Sequence, residues 1–193
     1  MNTEELNALK DRAYKTAVAH DGYEEGKSDA YYLGLAMGVA GFAINADGIG
    51  RHADTKGFTD FMEAEPFFFR LAFDQCIARS VEDCIADIVV LLLEFAGIKG
   101  YQLQIAKEEC KTSTAAVIGM FDKNGLSGTL FSMNGVLSDA LDENITDAAI
   151  SMIITIISGC FKKMTGSDKD LWWFVERRMG YIESAPKLNG KKY

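Results

Sequence analysis

The chain has 193 residues, 48% hydrophobic and 25% charged, with 20 Lys plus Arg against 28 Asp plus Glu and a formal net charge of −8. That length predicts one domain over 1–193, and the near-average polarity excludes disordered, collagen-like and coiled-coil compositions. The acidic balance repels a phosphate backbone, so duplex nucleic acid is excluded as an expected partner.

Two prolines, Pro66 and Pro186, leave long stretches without a breaker, which favours an all-α fold. Cys76, Cys84, Cys110 and Cys160 show no C-x-x-C spacing, and His20 and His52 sit far from them in sequence, so neither a zinc site nor a disulfide framework is indicated. The opening MNTEELNALKDR is acidic where a secretory signal would carry a basic patch and an apolar core. The expectation is a cytoplasmic chain with reduced thiols. The long uncharged runs from Tyr31 to Ala46 and from Ala148 to Phe161 fall short of the roughly 18 residues a spanning helix needs. They read as buried helices, with no membrane partner.

In chain order, Asn2 with Glu5 three residues on predicts a capped helix to about His20, with Leu6, Leu9, Ala13 and Ala17 on one side. Ser28 and Asp29 precede a helix from Tyr31 to Ala46, ended by Asp47-Gly48. Its Gly34, Gly38 and Gly41 form a flat strip that lets another backbone approach, including across a homodimer axis. Residues 48–66 lack apolar periodicity and read as a loop with one short helical turn. Phe67 to Arg79 is apolar and aromatic, and Ser80 with Asp83 predicts a fresh cap for a central buried helix from Val81 to Phe95, closing at Gly97. Within 112–132, Lys123-Asn124-Gly125 between apolar runs suits a small β-hairpin, with helix as the alternative. Asn144 with Asp147 caps Ile145 to Met164, Ser167 with Asp170 caps Leu171 to about Ile182, and the tail SAPKLNGKKY is basic and irregular.

Three stretches together, YYLGLAMGVAGFAINADGIGRHAD (31–54), SVEDCIADIVVLLLEFAGIKG (80–100) and LWWFVERRMGYIESAPKLNGKKY (171–193), resemble the MazG-like branch of the all-α nucleoside triphosphate pyrophosphohydrolases. The resemblance covers most of the chain except roughly 101–140. It implies a helical bundle, a homo-oligomer (dimer or tetramer) and a nucleotide pocket. In that family an E-x-x-E helix and an E-x-x-D helix hold Mg²⁺, which bridges the triphosphate and activates water. Laid on this sequence, the first three carboxylate positions are Val39, Phe42 and Cys84, and only Asp87 remains an acid. In the tail Arg178 stands for the family's Lys, Met179, Tyr181, Pro186 and Gly190-Lys191-Lys192-Tyr193 match, and Ile182 and Ala185 depart.

A retained frame with a lost carboxylate cage reads as a catalytically inactive protein that binds and sequesters a nucleotide or cyclic nucleotide signal. A phage-type anti-defence sponge is one concrete version. The resemblance implies Phe42, Asn45, Asp87, Trp173, Arg178, Tyr181, Lys191, Lys192 and Tyr193 as ligand-binding residues, with no metal and no cofactor. Two alternatives stand beside it. One is an Mg²⁺-dependent pyrophosphohydrolase on a rearranged set such as Asp47, Asp83 and Asp87. The other is a pseudoenzyme that binds a partner protein, which would show an exposed apolar patch and a pocket filled by Phe42. Each residue also has a plainer reading. Asp87 is equally a buried acid paired with Arg79 or Arg70. Of the adjacent Trp172 and Trp173 only one can face fully inward, and such aromatics are more often core than stacking surface. Arg177, Arg178, Lys187, Lys191 and Lys192 are either a phosphate-binding end or a solvated one. On a helix Asp83 and Asp87 share a face while Glu82 points elsewhere.

Overall fold

The computed structural model describes residues 1–20, 26–105, 111–142 and 147–185, with the side chains of 111–124, 140 and 142 outside that description. Among the described residues there are eight helices and no strand, so the chain is all-α.

Helix α1 (Thr3–Ala19) starts where expected. The Asn2 side chain accepts the Glu5 N–H at 2.9 Å and the Asn2 N–H donates to Glu5 Oε2 at 2.7 Å, closing a reciprocal capping box. Helix α2 (Asp29–Gly48) is capped by Ser28. Helix α3 (Thr55–Ala64) is longer than the single turn expected in 48–66. Asp54 accepts the Gly57 N–H at 2.7 Å and Phe58 is buried, and those two anchors replace the missing periodicity.

Helix α4 (Phe69–Cys76) leads through a short turn into α5 (Val81–Ile98), the centre of the molecule. α5 is buried along nearly its whole length and packs against α1, α2, α7 and α8. Its first turn is fixed by Ser80, whose Oγ accepts the Asp83 N–H at 3.1 Å. At the other end Gly97 lets α1 press in: a Cβ there would lie 2.5 Å from Tyr14 Cβ.

The hairpin expected within 112–132 does not form. Helix α6 (Lys111–Asp142) occupies it, broken at Gly125, where φ is 64° and ψ −165°. The turn signal at 123–125 is therefore real, but the left-handed glycine joins two helical pieces instead of two strands. Helix α7 (Asp147–Thr165) buries Ile150, Ile153, Ile154, Ile157 and Phe161. By length and composition alone it is apolar enough to cross a membrane, and half of that stretch is buried inside the fold. Helix α8 (Leu171–Glu183) is capped by Asp170, which accepts the Trp173 N–H at 2.9 Å; Ser167 is not its cap.

The expectation of a wholly buried second helix fails for α2. Leu33, Ala36, Ala40 and Ala43 are fully buried, and their small side chains bring α2 close onto α5. The opposite side is solvent-facing: Phe42 is 67% exposed, and Ile49, just past the end of the helix, 68%. No residue between Ala30 and Ala46 carries a charge, so the outer face of α2 looks apolar to a reader of the sequence and is apolar in solvent.

Candidate functional site

A cleft of about 670 Å³ opens where the C-terminal half of α2 meets the start of α5 and the middle of α8. From α2 come Val39, Phe42, Asn45 and Ala46, with Ile49 and Arg51 just beyond it. Asp74 and Ala78 border it from α4 and the turn after it. The exposed Arg79 stands at its edge, the α5 residues Asp83, Cys84 and Asp87 form its floor, and Arg178 and Tyr181 close the α8 side. The cleft thus brings together Phe42, Asn45, Asp87, Arg178 and Tyr181, and with them Val39 and Cys84, the positions where the resemblance expects carboxylates.

Trp173 is elsewhere. It stands edge-on to Phe58 (5.6 Å, 83°) and to Phe174 (4.9 Å, 76°), with the Arg177 guanidinium 4.1 Å over its ring. It staples α8 to α3 and does not line the cleft. Trp172 and Trp173 are both partly buried against the core. Lys187, Lys191, Lys192 and Tyr193 lie outside the described residues.

The acid and base of the floor are already engaged. Arg178 grips Asp87 with both prongs, Nε donating to Oδ1 at 2.9 Å and Nη2 to Oδ2 at 2.7 Å. The Asp87 partner is therefore Arg178, not Arg79 or Arg70: Arg70 donates to the Tyr181 carbonyl at 3.0 Å and lies over the Tyr181 ring. Arg178 Nη1 also approaches Asp83 Oδ1 at 3.5 Å. Burial works against the Arg178 charge, but Asp87 and Asp83 outweigh it and hold the guanidinium more firmly protonated than usual. Asp83 is buried, with Oδ2 accepting the Arg79 N–H at 2.8 Å and Oδ1 without a hydrogen bond. Burial pushes its carboxyl up to about 6, against the pull of Arg178. Three turns further along α5, Glu94 is pushed up to about 8 by burial, with the Asp87 charge adding to the effect.

Glu82 does point away from the cleft, as helix geometry requires. Its Oε1 lies 3.0 Å from His52 Nδ1 and its Oε2 accepts the Ala53 N–H at 2.9 Å, tying the segment after α2 to α5. Arg51 Nη2 donates to the Ala78 carbonyl at 2.9 Å, and the Val81 N–H to the Arg51 carbonyl at 3.0 Å. Arg79 adopts φ 62°, a left-handed conformation costly for any residue with a Cβ, and the Asp83 side chain holds it there. Arg51 did not stand out in the sequence, and Arg79 entered only as a candidate partner of Asp87.

Tyr181 stacks on Phe73 (4.5 Å, 25°), and burial followed by a hydrogen bond with Asp74 raises its phenol above the ordinary range.

Members of the resembled family with the intact motif hold Mg²⁺ at these positions, and the side chains present here do not fit it. Val39 and Phe42 offer no donor atom. Cys84 is buried and pushed up to about 11 by that burial, so it is a neutral thiol, a soft ligand for a hard ion. Asp87 has both oxygens on Arg178. Among the described residues no three His, Cys, Asp or Glu side chains gather as a metal-holding group.

Compared with protein-family models, with curated proteins and with solved structures, the chain matches none.

Proposed function

We propose that the protein is a MazG-like, non-hydrolytic nucleotide-binding protein of the cytoplasm that sequesters a nucleotide or cyclic nucleotide signal and works as a homo-oligomer. The observation that carries the reading is the state of the fourth carboxylate position. Asp87 sits on the floor of a 670 Å³ cleft with both oxygens held by Arg178, while the three companion positions are Val39, Phe42 and Cys84. A phosphate group entering this cleft meets Arg51 and Arg79 at its edge and a neutralised pair at its base, so it needs no metal to offset a carboxylate cage. The exposed Phe42 ring offers a face for a base, whereas the Tyr181 ring is already stacked on Phe73 with Arg70 over it. A phage-type anti-defence sponge is the concrete biological form of this proposal.

Equilibrium dialysis against nucleoside mono- and triphosphates and cyclic nucleotides, without Mg²⁺, tests it. Retention of at least one class, weakened by Arg79→Ala, is the expected result. No retention of any of them overturns it. The hydrolase reading on Asp47, Asp83 and Asp87 has less support: Asp47 does not line the cleft, and the other two share Arg178. Pyrophosphate release abolished by Asp87→Ala would reinstate it. The partner-binding reading gains one observation, the exposed Phe42 and Ile49, and loses another, since Phe42 points outward and does not fill the cleft.

A further inference from the structure

Between α6 and α7 lies a recess of about 140 Å³ whose described lining shares no residue with the cleft. Helix α6 lends it Leu130, Met133 and Val136, and α7 lends it Met152, Ile153 and Met164. Leu130, Met133, Ile153 and Met164 are buried members of the core, whereas Val136 and Met152 are exposed and mark the mouth. The recess is therefore sunk between core side chains, and a guest reaches it past the two residues at its rim.

Its chemistry is more apolar than the residue names suggest. Thr129 and Ser132 also line it, and both hydroxyls are turned back onto their own helix: Thr129 Oγ1 donates to the Gly125 carbonyl at 3.0 Å and Ser132 Oγ to the Gly128 carbonyl at 2.9 Å. With those protons spent, the described lining presents carbon and thioether sulfur, and no charged side chain. A ligand that carries a charge or a hydrogen-bond acceptor would give up its water there and gain no donor in return.

Size and sulfur narrow the guest further. The volume is close to the roughly 150 Å³ of an engineered hydrocarbon-lined cavity that admits benzene or xenon, and well below the roughly 300–1,000 Å³ of clefts that hold a drug-sized molecule. One six-membered ring fits, while a nucleotide or a long acyl chain is too large. Three of the lining side chains are methionines, whose unbranched stems reshape around a guest and whose sulfurs gain by sitting at the edge of an aromatic ring. Leucine or isoleucine at those positions would supply the same apolar surface without that preference.

We propose that the recess between α6 and α7 is a binding site for a small uncharged aromatic molecule, a single ring held among Met133, Met152 and Met164. The site stands apart from the nucleotide reading of the cleft and does not depend on it.

The test uses the full chain, carbon-13 labelled at its methionine methyls, with benzene as the probe. Titration is expected to shift the Met133, Met152 and Met164 signals saturably and to leave those of Met62 on α3 and Met179 on α8 in place. Ser132→Leu fills the recess from its wall and is expected to abolish the shifts with the helical circular-dichroism signal unchanged. Thr129→Val replaces the tied hydroxyl by a methyl of the same shape and is expected to bind benzene as the wild type does. Phenol is expected to bind about tenfold or more weakly, since its hydroxyl loses water without finding a partner. Cyclohexane is expected to bind a few-fold more weakly, for want of the sulfur–ring contact. No saturable shift in the wild type, or wild-type binding in a folded Ser132→Leu chain, overturns the site. Loss of binding in Thr129→Val, or phenol or cyclohexane bound as tightly as benzene, overturns the class of ligand. Shifts of the three signals on diluting the protein without benzene would assign the recess to a contact between copies, and would overturn the proposal as well.

Discussion

Replacing Arg178 with methionine isolates the interaction on which the site reading depends. The guanidinium makes two charge-assisted hydrogen bonds to Asp87, at 2.9 and 2.7 Å, and stands 3.5 Å from Asp83. The Arg178 and Asp87 side chains are 22% and 18% exposed, too buried for a surface ion pair worth under about 1 kcal/mol and not dry enough for the full 3–5 kcal/mol of a fully buried broken pair. Methionine fills the volume of the stem, so the loss is electrostatic: two carboxylates on one helix face without a cation. They relieve this by taking a proton, and Asp83, already near 6, takes it at little cost. The expected destabilisation is therefore about 3 kcal/mol at pH 7.5, roughly 6–12 °C in Tm for a chain of this size, shrinking to about 1–2 kcal/mol at pH 5. Urea melts at the two pH values measure it, and Arg178→Met combined with Asp87→Leu should recover most of the pH 7.5 loss, because removing both partners leaves no orphaned charge. A loss independent of pH, or one below 1 kcal/mol, would refute the claim that Arg178 neutralises the carboxylates of the cleft.

Glu94 titrates in the folded state near 8 against 4.5 in an ordinary environment. The folded chain thus binds a proton that the unfolded chain has lost between those values. Its contribution to stability is full below about pH 4.5 and disappears as pH rises through 8, and Glu94→Gln should raise the urea midpoint at pH 8.5 by a few kcal/mol equivalent while changing little at pH 4.5. An equal effect at both pH values would contradict this. Gly97→Ala should cost about 1–3 kcal/mol, since its methyl would sit 2.5 Å from Tyr14 Cβ and force α1 off α5; a neutral thermal shift would contradict the packing. Arg79→Gly removes a strained left-handed residue and should stabilise by about 1 kcal/mol while weakening nucleotide retention. Lower stability in that variant would count against the strain.

The parts of the fold written in local chemistry were legible. Asn2 with Glu5, Ser28, Ser80 and Asp170 are short polar side chains that meet their own helix N–H groups, and each marks a real helix start. The turn at Gly125 was visible too, but a left-handed glycine serves helix–helix and strand–strand joints alike, so the sequence could not say which. The convergence of Phe42, Asn45, Asp87, Arg178 and Tyr181 followed from the resemblance. The pairing inside the cleft did not, because Asp87 and Arg178 are far apart in the chain and which arginine arrives depends on how α8 lies on α5. Trp173 stood in the sequence as both a core and a ligand-binding candidate, and the structure has it in the core reading: only the position of Phe58 decides that the ring packs on α3. The outward face of α2 was hidden by its own composition, since a helix apolar on both sides reads as one buried on both sides.

The central claim is binding without turnover. Its most direct test is to incubate the purified protein with mono-, tri- and cyclic nucleotides in the presence of Mg²⁺, remove unbound ligand, denature the protein and identify what is released by mass spectrometry. Recovery of an intact nucleotide is the expected result. Recovery of a monophosphate with pyrophosphate would mean that carboxylates other than Asp87 rebuild the metal cage, and would contradict the account.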